Sequence, residues 1–145
     1  MKYILSIFLL FLAFEVSNSN IKFYNVWDYV SEDDILKARI IESECNYCSE
    51  LDKTLILSSI LNRCENENYP ENIVEVSKAY SYKAIKTPSK VNLEFVLFFD
   101  KNDRNKNVLY FFNEKKSNPL LVKQIKSKTF LILKTKHHEY RGNRN

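Results

Sequence analysis

Apolar positions recur at a helical spacing twice between Asp33 and Arg63, and each run is preceded by the same start signal. The first predicted helix, from about Asp33 to Cys45, follows Ser31-Glu32-Asp33-Asp34, in which a serine is followed three residues later by an acid, as in a capping box. The second repeats that signal at Ser49-Glu50-Leu51-Asp52 and runs through Leu55, Ile56, Leu57, Ile60 and Leu61 to Asn62-Arg63. It is apolar almost all round apart from Ser58 and Ser59, which predicts a buried central helix.

The remaining pattern is weaker. Asn20 to Val30 is an aromatic lead-in without a clear period, expected to pack across the helices. Pro70 at a first helical position predicts a short helix through Val76, and Lys78 to Lys83 reads as a loop. Thr87 is the expected cap of a helix over Val91 to Phe99. Asp100 to Asn107 is a solvated loop, without the glycine and final glutamate of a calcium-binding EF-hand loop. Val108 to Phe112 reads as a strand, and Leu120 to Ile125 and Thr129 to Leu133 as further extended segments. His137 to Tyr140 closes the domain, and Arg141 to Asn145 is expected to be a flexible tail. The fold class is therefore α+β, mainly α, with a buried central helix and a small C-terminal antiparallel sheet.

Length and composition narrow this further. The 145 residues suffice for one compact domain, expected over residues 20–140. Residues 1–19 have the features of an export signal: Lys2, then the apolar run Tyr3 to Phe14, then Ser17-Asn18-Ser19 with small residues at the cleavage positions. The apolar run is shorter than the roughly 20 residues of a membrane-spanning helix. Cleavage after Ser19 is expected; an uncleaved signal anchor is the competing reading. The formal charge of +4 suits an anionic polymer such as cell wall. Export and the lack of a basic run interleaved with aromatics argue against nucleic acid. The single glycine, Gly142, excludes a glycine-rich phosphate loop.

Three cysteines, Cys45, Cys48 and Cys64, allow at most one disulfide within the chain. A continuous second helix puts Cys64 about 24 Å from its start, which disfavours Cys48 with Cys64. Cys45 with Cys48 requires the first helix to open after Cys45. A metal site on this C-x-x-C is disfavoured, because His137 and His138, the two histidines, lie far along the chain. No cofactor and no metal is expected.

The candidate chemistry lies at the end of the first helix. At 100° per residue from Ile35, Leu36, Ala38, Ile40, Ile41 and Cys45 fall in one apolar arc, and Glu44, near 180°, lies inside it; Lys37 shares the arc, with a stem able to snorkel out. Glu42 falls on the polar side with Arg39, an expected partner in a solvated ion pair. A carboxyl on an apolar wall has its charged form disfavoured and holds its proton nearer neutrality, which is what a general acid for glycoside cleavage needs. The alternative is that Glu44 points into a turn or reaches backbone amides.

These residues resemble the cell-wall hydrolase family of the spore cortex-lytic enzymes of SleB type, also found in phages. That family has a helix ending in E-A-R-G-E, a buried helix ending in L-N-R, then F-P, F-S or F-T, Y-[FY]-N-P and a late H-x-F. The counterparts here are Glu44, Leu61-Asn62-Arg63, Tyr69-Pro70, Tyr80-Ser81, Tyr110-Phe111-Phe112-Asn113 and His138-Glu139-Tyr140, in the same order. The family's second glutamate falls on Cys48, and the proline after the asparagine becomes Glu114. The resemblance implies a lysozyme-like fold and cleavage of peptidoglycan glycan strands between N-acetylmuramic acid and N-acetylglucosamine, as a monomeric lytic transglycosylase with Glu44 as the catalytic acid and base. Tyr80, Ser81, Tyr82, Tyr110 and Asn113 are the expected substrate-binding residues, since tyrosine rings stack on sugar faces and an asparagine amide pairs with an N-acetyl group. The alternative is a secreted, non-catalytic wall-binding or inhibitory module.

Overall fold

The computed structural model describes residues 25–80 and 82–144, so the expected export signal lies outside the described residues. A 3-10 turn at Val26–Tyr29 leads into α1 (Glu32–Cys45), α2 (Glu50–Cys64), α3 (Ile73–Ser77) and α4 (Lys90–Leu97). A second 3-10 turn, Lys101–Asp103, precedes β1 (Tyr110–Phe112), α5 (Pro119–Lys128), β2 (Thr129–Lys134) and β3 (Glu139–Asn143). The fold is a mainly helical α+β domain with a small C-terminal antiparallel sheet, as the pattern predicts.

Both start signals operate. The Ser31 hydroxyl accepts from the Asp34 amide at 3.2 Å while the Asp34 carboxylate accepts from the Ser31 amide at 3.3 Å, a complete capping box. Ser49 caps α2 through the Asp52 amide at 3.2 Å. Leu55, Ile56, Leu57 and Ile60 of α2 are buried against Ile40 and Ile41 of α1, Ile73 and Val76 of α3 and Leu93 of α4. The two serines of this central helix are buried as well, and each has a partner: Ser58 donates to the Thr54 carbonyl and accepts from the Asn105 amide, and Ser59 donates to the Leu109 carbonyl. Burial without an unpaired hydroxyl is what allows them there.

Several expectations are corrected. Glu42 is not in a solvated pair with Arg39: its carboxylate accepts from the Ser89 amide at 2.6 Å and the Asn92 side chain at 3.0 Å, pinning the start of α4 to α1. These bonds hold its pKa below the usual carboxylate value although burial pushes it up. Arg39 instead bonds the Ile85 carbonyl and lies over the Tyr82 ring. Asn72, not Pro70, starts α3, and Ser89, not Thr87, caps α4, each accepting from the amide three residues on.

Leu120 to Ile125 is helix rather than an extended segment. Asn118 accepts from the Leu120 amide at 2.9 Å and Pro119 occupies the first turn, a helix start that outweighs the short apolar run. The expected tail at Arg141 is instead the middle of β3, the central strand of the order β1-β3-β2. Tyr110 pairs with Arg141 on one side and Thr129 with Asn143 on the other. Buried Arg141 donates to the Thr129 hydroxyl at 2.8 Å and the Thr129 carbonyl at 3.0 Å, with Glu139 3.3 Å away. Gly142 is pressed between the Asn107 carbonyl and the Phe130 ring; a Cβ there would lie 2.6 Å from that oxygen.

Candidate active site

The turn joining α1 to α2 is closed by a disulfide between Cys45 and Cys48, with a Cα–Cα distance of 5.2 Å. α1 does end at Cys45, the condition for that pairing, and Cys64 at the far end of α2 is free. Glu44, half-buried in the last turn of α1, therefore stands beside a covalently closed corner. It lines a groove of about 600 Å³ between the helices and the sheet. Arg63 of α2 and Tyr80 share its helical side, Tyr110, Phe111 and Asn113 form the strand side, and Leu121, Val122 and Ile125 of α5 form an apolar rim. Among the described residues lining this groove, Glu44 is the one carboxylic acid.

The end of α2 sets the strand side in place. Asn62 donates to the Asn105 and Val108 carbonyls at 2.8 and 2.6 Å, Ser59 to the Leu109 carbonyl at 2.9 Å, and Arg63 to the same carbonyl at 2.8 Å. Arg104 returns a 2.7 Å bond to Asn62 and pairs with Glu65. Three side chains on one helix face thus grip the loop entering β1. The Arg63 guanidinium then lies 5.3 to 5.4 Å from the ring centres of Tyr69, Tyr80 and Tyr110, within cation–π reach of all three. Tyr69 and Tyr110 share a 2.5 Å hydroxyl bond, and Tyr80 stacks on Phe111 with centroids 5.5 Å apart and planes 8° from parallel. Burial pushes the Tyr69 and Tyr80 hydroxyls well above the usual tyrosine value, against the opposing pull of Arg63, and Glu44 adds to the rise at Tyr80. These tyrosines stay protonated, as hydrogen-bonding groups, across ordinary pH.

Behind the groove, Asp52 ties α2 to the β2–β3 connection. Its carboxylate accepts from Ser49 at 2.8 Å, Thr135 at 2.6 Å and the fully buried Tyr140 hydroxyl at 2.7 Å. Burial raises its pKa, but these three bonds outweigh it and the net shift is downward. His138 is buried beside it, edge-on to Phe111 at 5.6 Å, with Nδ1 3.8 Å from Cys45 Sγ and 3.9 Å from Asp52. Desolvation lowers its pKa despite the Asp52 charge.

Of the expected site residues, the structure brings Glu44, Tyr80, Tyr110 and Asn113 to one groove. Tyr82 is elsewhere: it faces a separate recess with Leu36 and Arg39, its hydroxyl bonded to Ser77. Ser81 lies outside the described residues. Sequence reasoning missed Tyr69, Phe111 and the α5 rim as groove residues. The Asn-Pro pair at Asn118-Pro119 was the available signal for that helix.

The fold and groove define a class, a mainly helical α+β domain with a cleft at the end of its first helix in which Glu44 is the one carboxylic acid among the described lining residues. No family model and no curated protein matches this sequence. Among solved structures, the fold is similar to the catalytic domain of the germination-specific lytic transglycosylase SleB from Bacillus anthracis, with a TM-score of 0.61 and 21% identity over 77% of this chain and 96% of that one. The catalytic domain of the Bacillus cereus SleB protein is similar too, with a TM-score of 0.59 and 22% identity over 77% of this chain and 91% of that one. The chain has a SleB-like fold.

Proposed function

We propose that this protein cleaves the glycan strand of peptidoglycan between N-acetylmuramic acid and N-acetylglucosamine, as a lytic transglycosylase in which Glu44 is both acid and base. The carrying observation is one carboxylic acid in an aromatic groove, among the described residues that line it. A retaining hydrolase wants a second carboxylate about 5 Å away as nucleophile. A transglycosylase does not. Glu44 protonates the glycosidic oxygen as the bond to the anomeric carbon breaks; its carboxylate then takes the proton from the muramic C6 hydroxyl as that oxygen attacks the same carbon, leaving a 1,6-anhydro end. Tyr110 and Asn113 supply a ring face and an amide to the sugar, and Arg63 holds the tyrosines in register. The likeness to SleB catalytic domains supports the reading at the level of fold.

The substrate lies outside the cytoplasmic membrane, so the reading includes export through residues 1–19. Digestion of purified peptidoglycan followed by mass spectrometry tests it: anhydro-muropeptides, one water lighter than reducing ends, are the expected product. Glu44→Gln is expected to lose roughly 10²- to 10⁴-fold in rate while retaining glycan binding. Undiminished cleavage by that variant removes Glu44 from the chemistry, and binding without any cleavage by the unaltered protein makes it a wall-binding module instead.

A further inference from the structure

We propose that Cys45, Cys48 and His138, once the two cysteines are reduced, bind one divalent metal ion of the zinc class at the end of α1, where His138 lines the groove. The donor set is two thiolates and an imidazole, a combination zinc favours, with the cysteines at C-x-x-C spacing. The ring arrives from 93 residues along the chain, where the turn before β3 delivers it to the end of α1. The ligand atoms of the three residues lie within 4.8 Å of one another.

The geometry is nearly formed. Tetrahedral zinc with bonds of about 2.3 Å to sulfur and about 2.05 Å to nitrogen sets sulfur–nitrogen edges of about 3.6 Å and a sulfur–sulfur edge of about 3.8 Å. Cys45 Sγ and His138 Nδ1 are already 3.8 Å apart. The remaining change is withdrawal of the Cys48 sulfur from its partner. Cys48 is the half-buried member, in the turn between two helices, whereas Cys45 and His138 are buried. The imidazole is set in place by the Phe111 and Tyr140 rings and by its backbone amide bonded to Thr135. Asp52 is 3.9 Å from Nδ1 but is committed to Thr135 and Tyr140, so the fourth position falls to water.

The oxidised pair offers no thiolate, so the disulfide and the metal exclude one another. A dithiol reductant gives two electrons and two protons to the Cys45–Cys48 bond and leaves as its own cyclic disulfide. Metal binding then displaces the two thiol protons, while the neutral imidazole binds through Nδ1 and keeps its proton on Nε2. The proposal does not depend on the glycan reading, and its test uses no activity.

Reduced full-length protein, kept anaerobic, is titrated with cobalt(II), whose thiolate charge-transfer and tetrahedral visible bands report the ligands. One equivalent is expected, displaced by zinc, with Cys64→Ser unchanged and the oxidised protein silent. Cys48→Ser, at a half-exposed position, and His138→Gln are each expected to weaken binding at least tenfold, with circular dichroism reporting that each variant is folded. Absence of these bands in the reduced protein overturns the proposal. So does a titration unchanged in both variants.

Discussion

The two walls of the groove are built on opposite principles. The helical wall carries Glu44 and Arg63 on α1 and α2, each started by its own serine cap; α1 buries Ala38, Ile40, Ile41 and Cys45, and α2 is buried along most of its length. The strand wall carries Tyr110 and Asn113 on and just after a three-residue strand, beside α5, none of whose residues is buried. The second wall has little packing of its own and is held from behind, by the Asn62, Ser59 and Arg63 grip and by Asp52. In the proposed reaction the proton donor belongs to the rigid wall and the sugar contacts to the wall that a few long-range hydrogen bonds define. Specificity can then drift without loss of the acid.

The contrast can be broken at the ties. Asp52→Ala removes the carboxylate that accepts from Ser49, Thr135 and Tyr140 and leaves the buried Tyr140 hydroxyl only its 3.3 Å bond to the residue-52 carbonyl, at an expected cost of about 3 kcal/mol in chemical denaturation; a loss within about 0.5 kcal/mol would mean the strand wall is held some other way. Gly142→Ala forces a Cβ against the Asn107 carbonyl and is expected to cost about 2 kcal/mol. Arg63→Lys keeps the charge but loses the planar stacking and the Nε bond, with about 1 kcal/mol of stability and a fall in lysis larger than that loss explains.

Acid sharpens the same point. His138 and Asp52 both have pKa values below their ordinary ones, so both bind more protons unfolded than folded. Their stabilisation is complete above the ordinary histidine value of about 6.5 and is lost as pH falls, first through the His138 range and then, below about 3.9, through that of Asp52. The thermal midpoint should fall over that window, and His138→Gln should flatten the upper part of the decline. The smallest effect is expected at Leu120→Ser, on the exposed face of α5, within about 0.5 kcal/mol.

What could be read from the chain follows the same division. α1 and α2 were legible because their signals are local: a serine, an acid three residues on, then a helical period. The same period puts Glu44 inside the apolar arc, and it does line the groove; its expected role as the acid came from the resemblance. α5 was misread because a short apolar run fits strand and helix alike, and only the Asn118-Pro119 start decides it. Arg141 looked like a charged terminus, because its partners Thr129 and Glu139 are set by strand pairing that composition does not reveal. Tyr82 was drawn into the site by its neighbour Tyr80, though the two rings line different recesses.

The chain's one glycine is a lever as well as a gap. The carbonyl it lets pass belongs to Asn107, and the next two residues present the oxygens that Asn62 and Arg63 hold. A larger side chain at Gly142 pushes on that stretch of backbone, and the push arrives at the guanidinium between the tyrosines. Under the proposed cleavage reaction, a random-mutagenesis screen for its loss would return this remote site alongside Glu44, and a map of inactive variants would draw a footprint wider than anything a sugar touches.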